Sequence, residues 1–276
     1  MPGRPYHRIV PVPSGELVAL LDLARETAVT AGALIRRRRS EGVEVAAFKS
    51  TATDIVTAAD REAEGLIKGL LHDARPGDGF LGEEGGTAQS LTGLTWVVDP
   101  IDGTANYFYD IPSYCVSIAV VEGGVDPATW RPLAGCVVNP VTGEVYTASL
   151  GGGAFLGARR LHVNTGVELS DAMVGTGFGY AAEVRMKQAR VVGDLIGRIR
   201  DIRRAGSAAL DLCHVASGQL DAYYERGLKP WDFAAGALIA QEAGATTGYE
   251  PGPRPLVIAA EPVLYAQLAP LVSVSE

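Results

Sequence analysis

Apolar residues recur at helical spacing over about 14–39, through Leu17, Leu20, Leu21, Leu23, Ala24 and Val29, which predicts a first amphipathic helix. A polar loop, Lys49-Ser50-Thr51-Ala52-Thr53-Asp54, follows it. A second helix, capped by Asp54 or Thr57, is expected to run to about residue 71 with Leu66, Ile67, Leu70 and Leu71 inward. Phe80-Leu81-Gly82-Glu83-Glu84-Gly85 reads as a short strand entering an acidic turn. Strand-like runs at 114–121 and 133–138 precede a hairpin in which 144–148 leads through three glycines to Ala154-Phe155-Leu156. Beyond about residue 165 short strands (172–176, 201–204, 220–225, 256–259) alternate with helices (181–198, 207–216, 232–243, 263–271). That alternation marks an α/β half. The fold class is therefore α/β: a lead-in over 1–13 expected to be disordered, an α+β half over 14–164 with helices before an antiparallel meander, and an α/β half over 165–276. No internal repeat or low-complexity linker separates the halves, so they are expected to share an interface.

One segment breaks the pattern of simple apolar strands. Trp96-Val97-Val98 runs straight into Asp99-Pro100-Ile101-Asp102-Gly103-Thr104. Asp99 should stand at the end of a buried strand that Pro100 terminates, because proline has no ladder N–H. Asp102-Gly103 should turn the chain, and Thr104 should open a short helix. Asp-Pro and Asp-Gly are common turn dipeptides. A plain turn, however, does not explain why they adjoin a hydrophobic strand and a threonine. Two carboxylates three residues apart can converge on a hard cation, and free N–H groups at a helix start suit an anion. Cation beside phosphate points to a metal-dependent phosphatase.

Three further acids sit at the ends of apolar elements: Glu83 after its strand, Asp60 near the start of the second helix, and Asp232 after Trp231. An N-cap would by itself account for Asp232. Together with the others it is the natural contribution from the second half, closing a cleft. The donors are all oxygen, and the four histidines are scattered. Oxygen-only ligation selects Mg²⁺, Mn²⁺ or Ca²⁺ over zinc. Two or more Mg²⁺ ions would favour in-line displacement by water activated at the metal, with Thr104 placed to assist. Neither a D-x-D, a G-x-S-x-G nor a P-loop motif is present, and Gly151 to Leu156 lacks the last glycine of a dinucleotide fingerprint.

Composition narrows this further. The chain has 276 residues, 47% of them hydrophobic, without an apolar run long enough for a membrane span. Its N-terminus has no apolar core behind its charges, so no secretory signal is expected. Cys115, Cys136 and Cys213 lie apart in apolar segments and read as buried, reduced thiols of a cytoplasmic protein. The net charge of −8 makes nucleic acid an unlikely partner and requires positive charge to be supplied locally for phosphate. Arg36 to Arg39 reads as the solvated, dipole-favoured end of the first helix.

At this point the chain resembles the inositol monophosphatase family of Mg²⁺-dependent, lithium-sensitive phosphatases. The resemblance covers nearly its whole length. It rests on Gly82-Glu83-Glu84, the Asp99 to Thr104 motif, Gly206-Ser207-Ala208-Ala209 and Trp231-Asp232-Phe233-Ala234-Ala235-Gly236. It implies an αβαβα layered sandwich, usually a homodimer, acting on a small phosphorylated polyol. By matching positions, Glu83, Asp99, the Ile101 carbonyl, Asp102 and Asp232 would hold two or three Mg²⁺ ions, with Mn²⁺ a possible substitute. Asp60 and Thr104, with Glu83, would activate the water. Gly103 and Thr104 would offer N–H groups to the phosphate, and Lys49 would lie near it. Asp102, Ser207, Ala208 and Glu225 would line the substrate pocket.

The leading substrate is inositol monophosphate, for which the pair Asn106-Tyr107 speaks by analogy. Histidinol phosphate, fructose 1,6-bisphosphate and 3′-phosphoadenosine nucleotides are the alternatives. A regulatory module binding RNA or transcription machinery on the same fold, and a sugar-binding protein without catalysis, are the rivals of another class. Two departures stand out: Gly157-Ala158 where the family tends to place Asn-Gly, and Gly248 where it often has Asp.

Overall fold

In a computed structural model of the chain, residues 12–43, 45–48 and 55–273 are described. The first helix is α1 (Ser14–Glu41), buried along Leu20, Ala24, Ala28, Ala31 and Ile35. Val29, expected inward, is exposed. At 3.6 residues per turn it lies about half a turn away from Leu20. The strands β1 (Val45–Phe48) and β2 (Ile55–Thr57) pair antiparallel, and the loop expected at 49–54, with Lys49 and Asp54, lies outside the described residues. Helix α2 (Ala58–Ala74) is capped by Thr57.

The chain then forms β3 (Gly79–Gly82), β4 (Thr87–Ala88), β5 (Leu94–Asp102), α3 (Thr104–Tyr109), β6 (Cys115–Glu122) and β7 (Arg131–Asn139). After these come β8 (Glu144–Ser149), β9 (Gly153–Leu156) and β10 (Arg159–Arg160). The resulting eight-stranded sheet has the order β10-β9-β8-β7-β6-β5-β3-β4, parallel only between β3 and β5. The meander and the 144–156 hairpin are as the strand-like runs predicted.

The second half contributes β11 (Met173–Thr176), α4 (Ala182–Leu195), β12 (Asp201–Arg203), α5 (Ala208–Ser217) and β13 (Ala222–Arg226). It continues with α6 (Pro230–Glu242), β14 (Thr246–Glu250), β15 (Leu256–Ala260) and α7 (Pro262–Val272). The five-stranded sheet has the order β12-β11-β13-β15-β14, with β11 parallel to both neighbours and the other pairs antiparallel.

Three apolar cores stack these elements into five layers. One core joins α1 and α2 to a face of the larger sheet. The second places α5 and α6 between the two sheets. The third packs α7 and residues of α4 on the far face of the smaller sheet. This is the expected αβαβα sandwich. The middle layer is what brings the two halves' polar ends together. Among the described residues no helix is long and apolar enough to cross a membrane.

Several boundaries differ from the sequence expectation. Strand β5 does not stop at Pro100. It continues to Asp102 across a bulge, since Asp99 pairs with Ser117 and Asp102 with Cys115. A bulge leaves a residue unpaired, so proline's missing N–H is tolerated there. Residues 246–250, which fall outside the predicted strands and helices, form strand β14 because pairing with β15 outweighs their weak pattern. Helix 181–198 ends earlier as α4 and finishes in a 3-10 turn. Arg36 and Arg37 are exposed as expected, whereas Arg38 pairs with Glu62 and Glu41, and Arg39 with Asp110. The structure places both sequence departures. Gly157 takes a positive φ of 57° as the first residue of the two-residue β9–β10 turn. At Gly248 the Tyr265 hydroxyl occupies the space that a Cβ would need, so no aspartate fits without rearrangement.

Candidate active site

The polar site forms where β5 ends. Asp99 Oδ1 accepts the Ile101 N–H at 3.0 Å, closing a tight turn over Pro100. Gly103 then adopts φ 96°, and a side chain there would press on the Ser113 and Gly206 carbonyls. Only glycine meets both conditions. Thr104 follows as the first residue of α3.

Two acids one turn apart on α2 reach this region. Asp60 is 1% exposed. Its Oδ2 accepts the Thr57 N–H and hydroxyl, and its Oδ1 lies 3.2 Å from Thr104 Oγ1. The single Thr104 hydroxyl hydrogen also has the Ile101 carbonyl at 3.1 Å, so the two acceptors compete for it. Burial pushes the Asp60 carboxyl up to about 7 against the hydrogen bonds from Thr57, and the charges of Glu83 and Glu84 add to the rise. Glu64, which the sequence reading did not single out, accepts the Glu84 N–H at 2.7 Å and the Gly86 N–H at 3.1 Å. It therefore clamps the turn that carries Glu83. Its spacing of four from Asp60 was the signal available in the sequence.

The second half supplies the opposite wall. Asp102 Oδ2 accepts from Ser207 Oγ at 2.6 Å and from the Ala209 N–H at 2.7 Å. Ser207 is the N-cap of α5. Asp232 stands at the third position of α6, not at its N-cap, because Pro230 begins the helix. Its Oδ2 accepts the Lys229 N–H at 2.6 Å. Helix capping thus does engage Asp232, but with only one of its two oxygens. Next to it Phe233 packs between Trp130 and Tyr249, with ring centroids 6.0 and 5.7 Å away.

Glu83, Asp99, Ile101, Asp102, Gly103, Thr104, Ser207, Ala208, Glu225 and Asp232 all line one cavity of about 150 Å³. Asp60 stands behind Thr104, and Lys49 lies outside the described residues. Burial raises the Asp99 and Asp232 carboxyls well above their ordinary range, and the charges of Glu83 and Asp102 push in the same direction. Burial also raises Asp102 to about 7, despite the Ser207 and Ala209 donors. Among the described residues no three acidic, imidazole or thiol groups already stand as a closed metal cage. The donors are nevertheless hard oxygens whose mutual repulsion a divalent cation would relieve, and in chemistry they fit Mg²⁺.

Glu225 is half-buried at the end of β13, with its Oε2 accepting the Tyr223 hydroxyl at 2.5 Å. Burial lifts its carboxyl to about 7, against that hydrogen bond and the Arg204 charge. It is not a plain surface acid. Asn106 and Tyr107, in contrast, are buried and do not line the cavity. The Asn106 amide donates to the Ser113 and Ala205 carbonyls, and the Tyr107 hydroxyl donates to the Ile35 carbonyl. Asn106 holds two loops together, Tyr107 ties α3 to α1, and neither speaks for the substrate.

The chain as a whole is similar to known proteins. Residues 16–273 match the model of the inositol monophosphatase family. The chain belongs to that family. Inositol-1-monophosphatase SuhB of Mycobacterium tuberculosis (strain ATCC 25618 / H37Rv) is 45% identical over 278 residues, covering 93% of this chain and 94% of that protein. A solved structure of Mycobacterium tuberculosis SuhB aligns with a TM-score of 0.79 at 42% identity, over 93% of this chain and 96% of that one. A relative named Nus factor SuhB, from Xylella fastidiosa (strain Temecula1 / ATCC 700964), is 40% identical over 220 residues, covering 79% of this chain and 78% of its own. Membership gives the reaction class: the protein is a phosphatase.

Proposed function

We propose that this phosphatase is a Mg²⁺-dependent phosphomonoesterase whose substrate is inositol monophosphate. One observation carries the reading: Glu83, Asp99, Asp102 and Asp232, drawn from both halves, line one cavity with Thr104, whose hydroxyl meets buried Asp60. The name of the 45% identical relative supports the substrate. The halves at 14–164 and 165–276 act as the two sides of this cleft.

Glu83, Asp99, the Ile101 carbonyl, Asp102 and Asp232 would hold two or three Mg²⁺ ions, or Mn²⁺ in their place. Bound there, the ions supply Lewis acidity to the phosphate oxygens and acidify a coordinated water. The protein's own part is positioning and proton transfer. Thr104 Oγ1 takes the proton of the attacking water while passing its own to Asp60 Oδ1, and Glu83 orients the water. The N–H groups of Gly103 and Thr104, at the start of α3 without intrahelical acceptors, bind the phosphate with help from Lys49. Asp102, Ser207, Ala208 and Glu225 receive the alcohol part. Ser207 acts through its backbone, since its hydroxyl is engaged by Asp102 and the α5 cap.

The family likeness supports a homodimer, and the three buried free cysteines support a reducing, cytoplasmic setting. Release of phosphate from a panel of esters, with and without Mg²⁺, tests the reading. Inositol monophosphate should be cleaved fastest, ahead of histidinol phosphate, fructose 1,6-bisphosphate and 3′-phosphoadenosine nucleotides. Hydrolysis that persists in a chelator would overturn the metal dependence. Millimolar lithium should inhibit, and an unchanged rate would set this chain apart from its relatives.

The Nus factor name of the Xylella relative favours a second reading, a regulatory contact with transcription machinery. The net charge of −8 makes a protein surface a better contact than RNA.

A further inference from the structure

Asp211 lines the same cavity, and no motif in the sequence marks it. It lies in the first turn of α5, four residues after the N-cap Ser207. The residue is 2% exposed, and its Oδ1 has no hydrogen-bond partner. His214 Nδ1 stands 3.6 Å from that oxygen, beyond hydrogen-bonding range. Burial holds the Asp211 carboxyl above its ordinary range.

An acceptor buried without a donor destabilises a fold, because it has left water and gained nothing in return. Asparagine or leucine would serve the helix at least as well. Other acids of the cavity are engaged: Asp102 by Ser207 and Ala209, Glu225 by Tyr223, Asp232 by the Lys229 N–H. Asp211 Oδ1 therefore lacks a donor that a ligand in this cavity would bring. A neutral O–H donor suits it, because one open acceptor oxygen needs one donor, whereas a hard cation needs several oxygens at once. A polyol carries O–H groups on adjacent carbons, so one molecule can serve Glu225 and Asp211 together.

We propose that Asp211 is a specificity-determining residue that accepts a hydroxyl from the alcohol part of the substrate. This rests on the phosphatase reading and adds to it a third acidic side chain beside those of Asp102 and Glu225. Arg204, exposed at the same cavity, is a counter-charge to Asp211 and Glu225 without bonding Oδ1.

The test compares two esters on one enzyme: inositol monophosphate, with hydroxyls throughout, and p-nitrophenyl phosphate, with none. For Asp211→Asn and Asp211→Leu, the ratio of kcat/KM for the first ester to that for the second should fall about tenfold, with the loss in KM. Thermal unfolding should show both variants at least as stable as the parent, because each removes a buried carboxyl whose Oδ1 has no hydrogen-bond partner. A ratio that stays constant in folded variants, whether both activities fall together or neither does, overturns the assignment. If Asp211→Leu fails to fold, Asp211→Asn, which keeps the shape, decides alone. Failure of the parent protein to cleave either ester with Mg²⁺ would instead overturn the phosphatase reading itself.

Discussion

Asp102 Oδ2 lies 2.6 Å from Ser207 Oγ and 2.7 Å from the Ala209 nitrogen, so one oxygen of the larger sheet closes the N-terminus of α5. The two halves of the cleft are joined at a residue that also lines the cavity. Ser207→Ala removes a donor to this carboxylate and the side-chain cap at once. It should lower stability by about 1–3 kcal/mol, the combined scale of a cap and of a hydrogen bond to a charged group. It should also raise the Mg²⁺ concentration needed for half-maximal activity. Denaturant unfolding and a metal titration check the two effects separately.

Asp99→Asn and Asp232→Asn each keep the side-chain shape and remove a negative oxygen. Turnover with Mg²⁺ should be nearly abolished. Unfolding in a chelator should occur at the same temperature or higher, since a repelled, buried carboxylate has gone. Full turnover by either folded variant at modest Mg²⁺ would remove that residue from the ligand set.

The metal-free protein should lose stability as pH rises. Burial places Asp60, Asp102 and Glu225 near 7 in the folded state, far above their unfolded values. The folded chain then holds protons that the unfolded chain has released. These groups therefore contribute fully below about pH 4, and the contribution is lost as pH climbs through 7. Thermal melts in a chelator from pH 5 to 8 should show Tm falling, and Mg²⁺ should flatten the slope by favouring the charged carboxylates. A Tm that rises across this range without metal would contradict the burial argument.

Thr104→Ala should lower turnover by roughly a hundredfold or more, the usual scale of proton-transfer assistance. Asp60→Asn should do the same. The double variant should be little worse than either, because residues acting as a unit are not additive. The competing view is that Asp60 only completes the Thr57 cap of α2, where its Oδ2 is indeed engaged. In that case the variants would differ in melting temperature and hardly in kcat. Steady-state kinetics alongside thermal melts separate the two.

Much of this molecule follows from local rules. The period of Leu20, Ala24, Ala31 and Ile35 makes α1, and the apolar run into Asp99 makes β5. The residue order Asp-Gly-Thr makes the turn and start of α3, because backbone freedom and capping act over three or four residues. The acids at the ends of apolar elements were visible for the same reason. Sequence by itself determined those elements and the hard-oxygen character of the donors.

Tertiary structure decided the rest. Strand β14 exists because β15 pairs with it, and β5 runs past Pro100 because β6 accommodates a bulge. Asn106 became a loop tie, Tyr107 a tie between α3 and α1, and Gly248 the seat of the Tyr265 hydroxyl. Glu64 and Asp211 gained their places only when α2 met the Glu83 turn and α5 met the cavity. Such outcomes depend on partners far away along the chain. Whether a buried carboxylate finds a donor is settled by what packs against it, and local sequence does not carry that information.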